Sequence, residues 1–150
     1  MYFLLLLAML FSKPANPPAN ETEVEVVVSN IKKAKGVLVI SLYNDSKAFP
    51  KVGRETLTQK VVLDDTVTHH VLIKVPAEGW YAIAMFQDEL EQGKIKQDDI
   101  GVPEEPYGFS NNIRPKTSAP TFTACKFFAG SNTKTVANIR LIQPMGFKRL

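Results

Sequence analysis

Carboxylates, amides and aromatics crowd into one stretch of this chain, Gly79 to Asn112, and any chemistry has to be sought there first. Its acids come in clusters: Asp88, Glu89 and Glu91; Asp98 and Asp99; Glu104 and Glu105. A glycosidase needs two carboxyl groups facing each other across a cleft, about 5–10 Å apart. Acids adjacent along a surface loop are ordinarily solvated instead. Calcium asks for several closely spaced oxygens and a glycine that permits a tight turn. Asp88-Glu-Leu-Glu-Gln-Gly93 has Asp at the first position of such a loop and Gly at the sixth. Leu90, at the third, offers no ligand oxygen, and Gln92, at the fifth, is neutral and long. Asp88, Glu89, Asp98 and Asp99 are the residues a calcium ion would have to use, in an incomplete pattern.

A second set follows directly: Tyr107, Phe109, Ser110, Asn111, Asn112 and Arg114. Two flat aromatic faces beside hydroxyl, amide and guanidinium groups suit a carbohydrate or peptide ligand. The same residues can instead pin the loop to the body of the protein, with Gly108 allowing a turn and the amides bonding to loop backbone. A loop of about 30 residues needs such internal anchors to stay ordered, so the anchoring role is the expected one.

Catalytic constellations are missing. No serine lies in Gly-x-Ser-x-Gly. His69 and His70 are neighbours on a strand, where successive side chains point to opposite faces, so they cannot chelate one ion together. Cys125 is the single cysteine, which rules out an internal disulfide or a cysteine-based zinc site. Its setting, Thr-Ala-Cys-Lys-Phe-Phe, reads as strand and predicts a buried structural thiol. The residue pattern points away from an enzyme.

The elements that must position the loop are strands. Thr22 to Ser29 alternates Val24, Val26 and Val28 against Glu23 and Glu25. Gly36 to Tyr43 is apolar on both faces, as is Trp80 to Asp88, so both belong in the middle of a sheet. Thr56 to Leu63 and Thr66 to Val75 are joined at Asp64-Asp65, which reads as a hairpin turn. In the second of these Val67, His69, Val71, Ile73 and Val75 form the inward set. Between them and the second strand, Phe49-Pro50 sits in a loop under which the Phe should tuck. Thr121 to Ala129 is a sixth strand whose slipped pattern predicts a bulge near Ala124-Cys125. Thr133 to Gln143 is the last. Leu90 to Asp99 has room for a single helical turn. About seven short strands with turns between them predict an all-β fold, an antiparallel β-sandwich of Greek-key type, immunoglobulin-like or prealbumin-like, with one long loop between strands five and six.

At 150 residues, 45% hydrophobic and 22% charged, the chain suits one folded domain. Net charge is +3, and Lys32, Lys33 and Lys35 form the only tight basic cluster, at a turn. That is no nucleic-acid footprint, which would need a basic stripe with interleaved aromatics. Tyr2 to Phe11 is an unbroken apolar run, shorter than the roughly 20 residues that span a bilayer and suited to the core of an export signal. Residues 1–20 are therefore expected to be signal peptide and Pro-rich spacer, 21–143 the domain and 144–150 a tail. Export to the periplasm or outside the cell is expected, with membrane contact only through that signal.

Several of these motifs occur together in one family. Phe86-Gln-Asp88, Gly93-Lys94 and Ile100-Gly-Val-Pro-Glu-Glu-Pro-Tyr-Gly-Phe-Ser-Asn-Asn112 resemble the DUF2141 family of secreted bacterial proteins. So do the strand ending at Tyr43 with Phe49-Pro50 after it, and Ala119-Pro-Thr-Phe122 with Phe127. The similarity runs from about Glu21 to Leu141. It implies an export signal and a β-sandwich, and it brings no established activity. Members typically read Asp-x-Asn-x-Asn-Gly-Lys-x-Asp in the acidic loop. Here Leu90 and Gln92 replace both Asn, and Gln97 falls near the later acid. The functional expectation is a non-catalytic binding or envelope-associated interaction module, its partner a carbohydrate, a peptide or an envelope protein. A calcium-stabilised structural domain is the alternative and a hydrolase the remote one. No other cofactor is expected.

Overall fold

A computed structural model describes residues 21–145. The apolar run and spacer, and the last five residues of the expected tail, lie outside the described residues. Among the described residues the fold is all-β, with eight strands in two sheets, one four-residue α-helix and a 3-10 turn at Ser110–Asn112. β1 (Thr22–Ser29) is central in a three-stranded sheet, flanked by β4 (His69–Val75) and β8 (Lys134–Arg140). The second sheet runs β3 (Leu57–Val62), β2 (Val37–Tyr43), β5 (Gly79–Asp88), β6 (Tyr107–Phe109), with β7 (Phe127–Ala129) also paired to β5.

Alternation explains the core. Val24, Val26 and Val28 of β1, Val71, Ile73 and Val75 of β4, and Ala137 and Ile139 of β8 point the same way. They meet Leu38, Ile40 and Leu42 of β2 and Tyr81, Ile83 and Met85 of β5 in one apolar cluster shared by both sheets. Each fully buried branched side chain contributes about 1.5–3 kcal/mol relative to exposure. The opposite face of the larger sheet is not left to water. Tyr43 and Ala82 there join Ala48 and Phe49 from the 44–54 loop and Cys125 from the 113–126 segment in a second cluster. Phe49 is its hub, edge-on to Tyr43, Phe109 and Phe122 at 5.2, 6.3 and 6.1 Å. The double-sided apolar pattern of β2 and β5 thus has two roofs, one a sheet and one made of loops.

Several details differ from the sequence expectation, the first being that the stretch expected as one long loop between strands five and six contains β6, which brings the strands among the described residues to eight. The expected sixth strand begins as a helical turn, α1 (Phe122–Cys125), and only then becomes β7. The Thr121 side chain accepts from the Ala124 N–H at 3.2 Å and the Lys126 N–H bonds the Phe122 carbonyl, so a capped helical turn replaces the bulge. Asp64-Asp65 does not close a hairpin: β3 and β4 lie in different sheets. No glycine is present for a two-residue turn, and the Asp65 carboxylate instead accepts from the Val67 N–H at 3.1 Å. β4 accordingly starts late, leaving Val67 exposed. Residues 90–99 hold turns without a helix, because Asp88 and Asp98 side chains take up the backbone N–H groups there. Finally, β8 runs parallel to β1, from Glu23↔Lys134 to Ser29↔Arg140, in an otherwise antiparallel set of pairings.

Candidate functional site

The two halves of the Gly79–Asn112 stretch behave differently. In the acidic half, carboxylates serve the backbone. Asp88 is 3% exposed; its Oδ1 accepts from the Gln92 N–H at 2.9 Å and its Oδ2 from the Gly93 N–H at 2.7 Å. Asp98 Oδ1 accepts from Ile100 and Val102 N–H groups at 3.0 and 2.9 Å. Glu89 is ion-paired to Lys33 at 3.2 Å, and Asp99 is exposed. Among the described residues, no group of three or more His, Cys, Asp or Glu side chains is placed to hold a metal ion. The acid that organises the loop is Glu105, which reads in the sequence as half of a solvated pair. It is 4% exposed and bridges two loop strands, accepting from Glu89 N–H at 3.1 Å and Lys96 N–H at 2.9 Å.

The second half is built on β6. Pairing with β5 runs Phe86↔Tyr107, Met85↔Gly108, Ala84↔Phe109, and one residue later the chain turns away. Ser110 continues the ladder with its side chain: Oγ accepts from the Ile83 N–H at 2.9 Å and donates to the Cys125 carbonyl at 2.6 Å. It thereby fills the gap before β7 resumes pairing at Tyr81. Asn111 and Asn112 adopt left-handed backbone, φ 60° and 51°, which Asn tolerates better than most residues. Asn111 Nδ2 donates to the carbonyls of Ala124 and Lys126 at 3.1 and 2.9 Å, closing the C-terminal end of α1. Asn112 Oδ1 accepts from the Arg140 N–H at 2.8 Å, tying the turn to the end of β8. Tyr107 and Phe109 meet edge to face at 6.1 Å. Gly108 packs its bare Cα against Ile139 and Leu141.

Ser110 and Asn111 are therefore anchors, through the Ser110 hydroxyl and the Asn111 amide N–H₂, and Tyr107 lies half-buried against Phe109. Phe109, Asn112 and Arg114 have a different place. With Arg140, Ile113 and Ile142 they line a groove of about 400 Å³ between the loop and the end of β8. In the sequence Arg140 is simply an outward residue of an alternating strand. Its partnership with Arg114 depends on the parallel β1–β8 pairing and on the Asn112 tie. Among the described residues neither Arg114 nor Arg140 forms an ion pair.

A second groove, of about 530 Å³, lies on the outer face of the three-stranded sheet and is lined by Glu21, Glu23, Glu25 and His70. Two of its three carboxylates are already satisfied. Glu25 is held below the ordinary carboxylate range by hydrogen bonds from Lys134 and His70, and Glu21 pairs with Lys74 at 2.9 Å. His69 turns the other way, to Asp65 at 3.0 Å, so the two histidines are apart as strand geometry requires. Cys125 is fully buried, and burial pushes its thiol up to about 11, the reverse of what a nucleophile needs.

The sequence profile of the family described as "Uncharacterized protein conserved in bacteria (DUF2141)" matches residues 26–137. The chain belongs to the DUF2141 family. No curated protein and no solved structure matches it. The DUF2141 match includes Phe109, Asn112 and Arg114 and ends before Arg140. One wall of the groove thus lies inside the family's span and the other beyond it.

Proposed function

We propose that this DUF2141 protein is an exported, non-catalytic binding domain whose ligand sits in the groove between the 109–114 segment and the end of β8. The observation that carries the reading is the groove's make-up. Its volume, about 400 Å³, falls in the range of small-molecule sites. It combines an apolar surface from Phe109, Ile113 and Ile142 with convergent polar groups on Asn112, Arg114 and Arg140. Its walls are held by backbone-anchored residues, so the site is pre-formed. The fold reading that goes with it is a β-sandwich of Greek-key type, immunoglobulin-like or prealbumin-like, supported by one apolar cluster fed from both sheets. Export is supported by the apolar run Tyr2 to Phe11 and the Pro-rich spacer after it.

Two experiments test this. In an amide-detected NMR titration with neutral and charged monosaccharides and short peptides, shifts should centre on Phe109, Asn112 and Ile113. Shifts confined to other parts of the surface, or none with any compound, would overturn the binding site. For export, fusing the native leader to a reporter enzyme that matures only outside the cytoplasm should give active reporter; a silent fusion at normal expression argues against it.

A further inference from the structure

We infer that the groove's ligand is an oxyanion, a carboxylate or phosphate carried on a ring-sized body, and that Arg114 and Arg140 are its two specificity-determining groups. This rests on the groove being the binding site and adds what it binds.

The charge arrangement argues for it. Arg114 and Arg140 are both exposed and line one concavity, and among the described residues neither is compensated by a carboxylate. Among the described residues no acidic side chain lines the groove. Four lysines elsewhere are ion-paired, Lys33 with Glu89, Lys74 with Glu21, Lys96 with Glu104 and Lys134 with Glu25; the other described cations there form no ion pair, but none of them lines this groove. Two cations lining one cleft favour an anion as its occupant. Guanidinium is also the group whose planar fork matches carboxylate and phosphate oxygens two at a time.

Position is controlled as well as charge. Asn112 Oδ1 is committed to the Arg140 N–H at 2.8 Å, which fixes the two walls against each other and leaves the Asn112 amide N–H₂ as a neutral donor at the same site. Phe109, Ile113 and Ile142 then supply apolar contact for the body that carries the charge. The second groove differs, since two of its three carboxylates, Glu21 and Glu25, already have cationic partners within the protein.

The test uses matched probes on the full chain: glucuronate against glucose, and benzoate and phenyl phosphate against benzyl alcohol. Binding is read from the Arg Nε–H and Asn side-chain N–H₂ resonances. The acids should move the Arg114, Arg140 and Asn112 signals and bind at least about tenfold tighter than their neutral partners, the worth of one charge-assisted contact. Benzoate against phenyl phosphate then separates carboxylate from phosphate as the preferred group. R114Q and R140Q should each weaken the preferred acid by about tenfold or more, and R114K should recover only part of it because the fork is lost. Neither change disturbs the Arg140 backbone N–H that Asn112 holds, so unchanged melting confirms a folded control. If glucose or benzyl alcohol moves the groove signals as strongly as the acids, the oxyanion inference falls while the groove stands as a binding site. It falls equally if the acids bind but R114Q and R140Q have no effect. If no probe moves these signals while a peptide or sugar from the wider titration does, the inference is again overturned, independently of the binding reading.

Discussion

Replacing Ser110 by Ala should destabilise this protein far more than loss of one hydroxyl normally does. The side chain is completely buried and works as a piece of strand. Its oxygen is the acceptor for the Ile83 N–H at 2.9 Å, and its single hydrogen goes to the Cys125 carbonyl at 2.6 Å. Alanine fits the same space, leaves both backbone groups in place and gives neither a partner. An unsatisfied buried donor or acceptor costs about 1–3 kcal/mol, so the pair sums to about 3 kcal/mol if water does not enter. For a domain of this size that corresponds to a melting point lower by about 10 °C. The assay is urea unfolding followed by circular dichroism and by Trp80 fluorescence, with midpoint and slope fitted separately. The expected result is a lower midpoint with unchanged slope, since the surface exposed on unfolding is the same. Amide exchange should show Ile83 losing protection more than Met85, whose ladder partner is backbone. A loss below about 0.5 kcal/mol, within the range of an ordinary surface substitution, would refute the reasoning that Ser110 completes the β5 ladder.

Glu105→Gln replaces one of two accepting oxygens with a donor aimed at a backbone N–H, and urea midpoints should show a loss of about 1–3 kcal/mol. Gly108→Ala would place a methyl 2.8 Å from Ile139 Cγ2, and overpacking of that kind should cost about 1–3 kcal/mol in the same assay. Stability should fall as pH rises from about 9 towards about 11: the unfolded Cys125 thiol ionises near 9.0 while burial holds the folded one up to about 11, so the unfolded state loses its proton first. Urea midpoints for Cys125→Ala should decline less steeply over that interval; an identical decline would remove Cys125 as the cause. Millimolar calcium should leave the melting midpoint where it is, because the Asp88 and Asp98 oxygens already serve backbone donors; a calcium-dependent rise would show a site formed on binding.

Where the sequence was readable, the reason is periodicity. β1 and β5 follow from alternating or doubly apolar runs, and β1 occupies the residues its pattern predicts, Thr22–Ser29. The slipped pattern around Cys125 was visible too, but a bulge and a helical turn both shift side-chain phase, and only the Thr121 cap separates them. Strand pairing was not readable. The missing glycine at Asp64-Asp65 is the local sign against a β3–β4 hairpin, but which sheet each strand joins is set by pairing with strands distant in sequence. At the site, Tyr107 to Asn112 stood out by composition, and the expected anchoring role describes Ser110 and Asn111. Arg140 and Glu105 were illegible for opposite reasons. Arg140 matters only beside Arg114, far from it in sequence, and Glu105 is an acid whose burial depends on two backbone N–H groups brought to it by folding.

The parallel β1–β8 pairing also bears on the order in which this protein can be assembled. β1 appears first among the described strands as the chain is synthesised, and β8 last, yet they are neighbours in register from Glu23↔Lys134 onward. The larger sheet can pair β3, β2 and β5 while the rest of the chain is still emerging. The smaller sheet must hold β1 with only β4 beside it until residues 134–140 arrive. Contacts this distant in sequence form late and slowly. The same residues carry Arg140 to the groove, so the groove lacks one wall until they are in place. A nascent chain would carry Arg114 without its counterpart until residues 134–140 have been added.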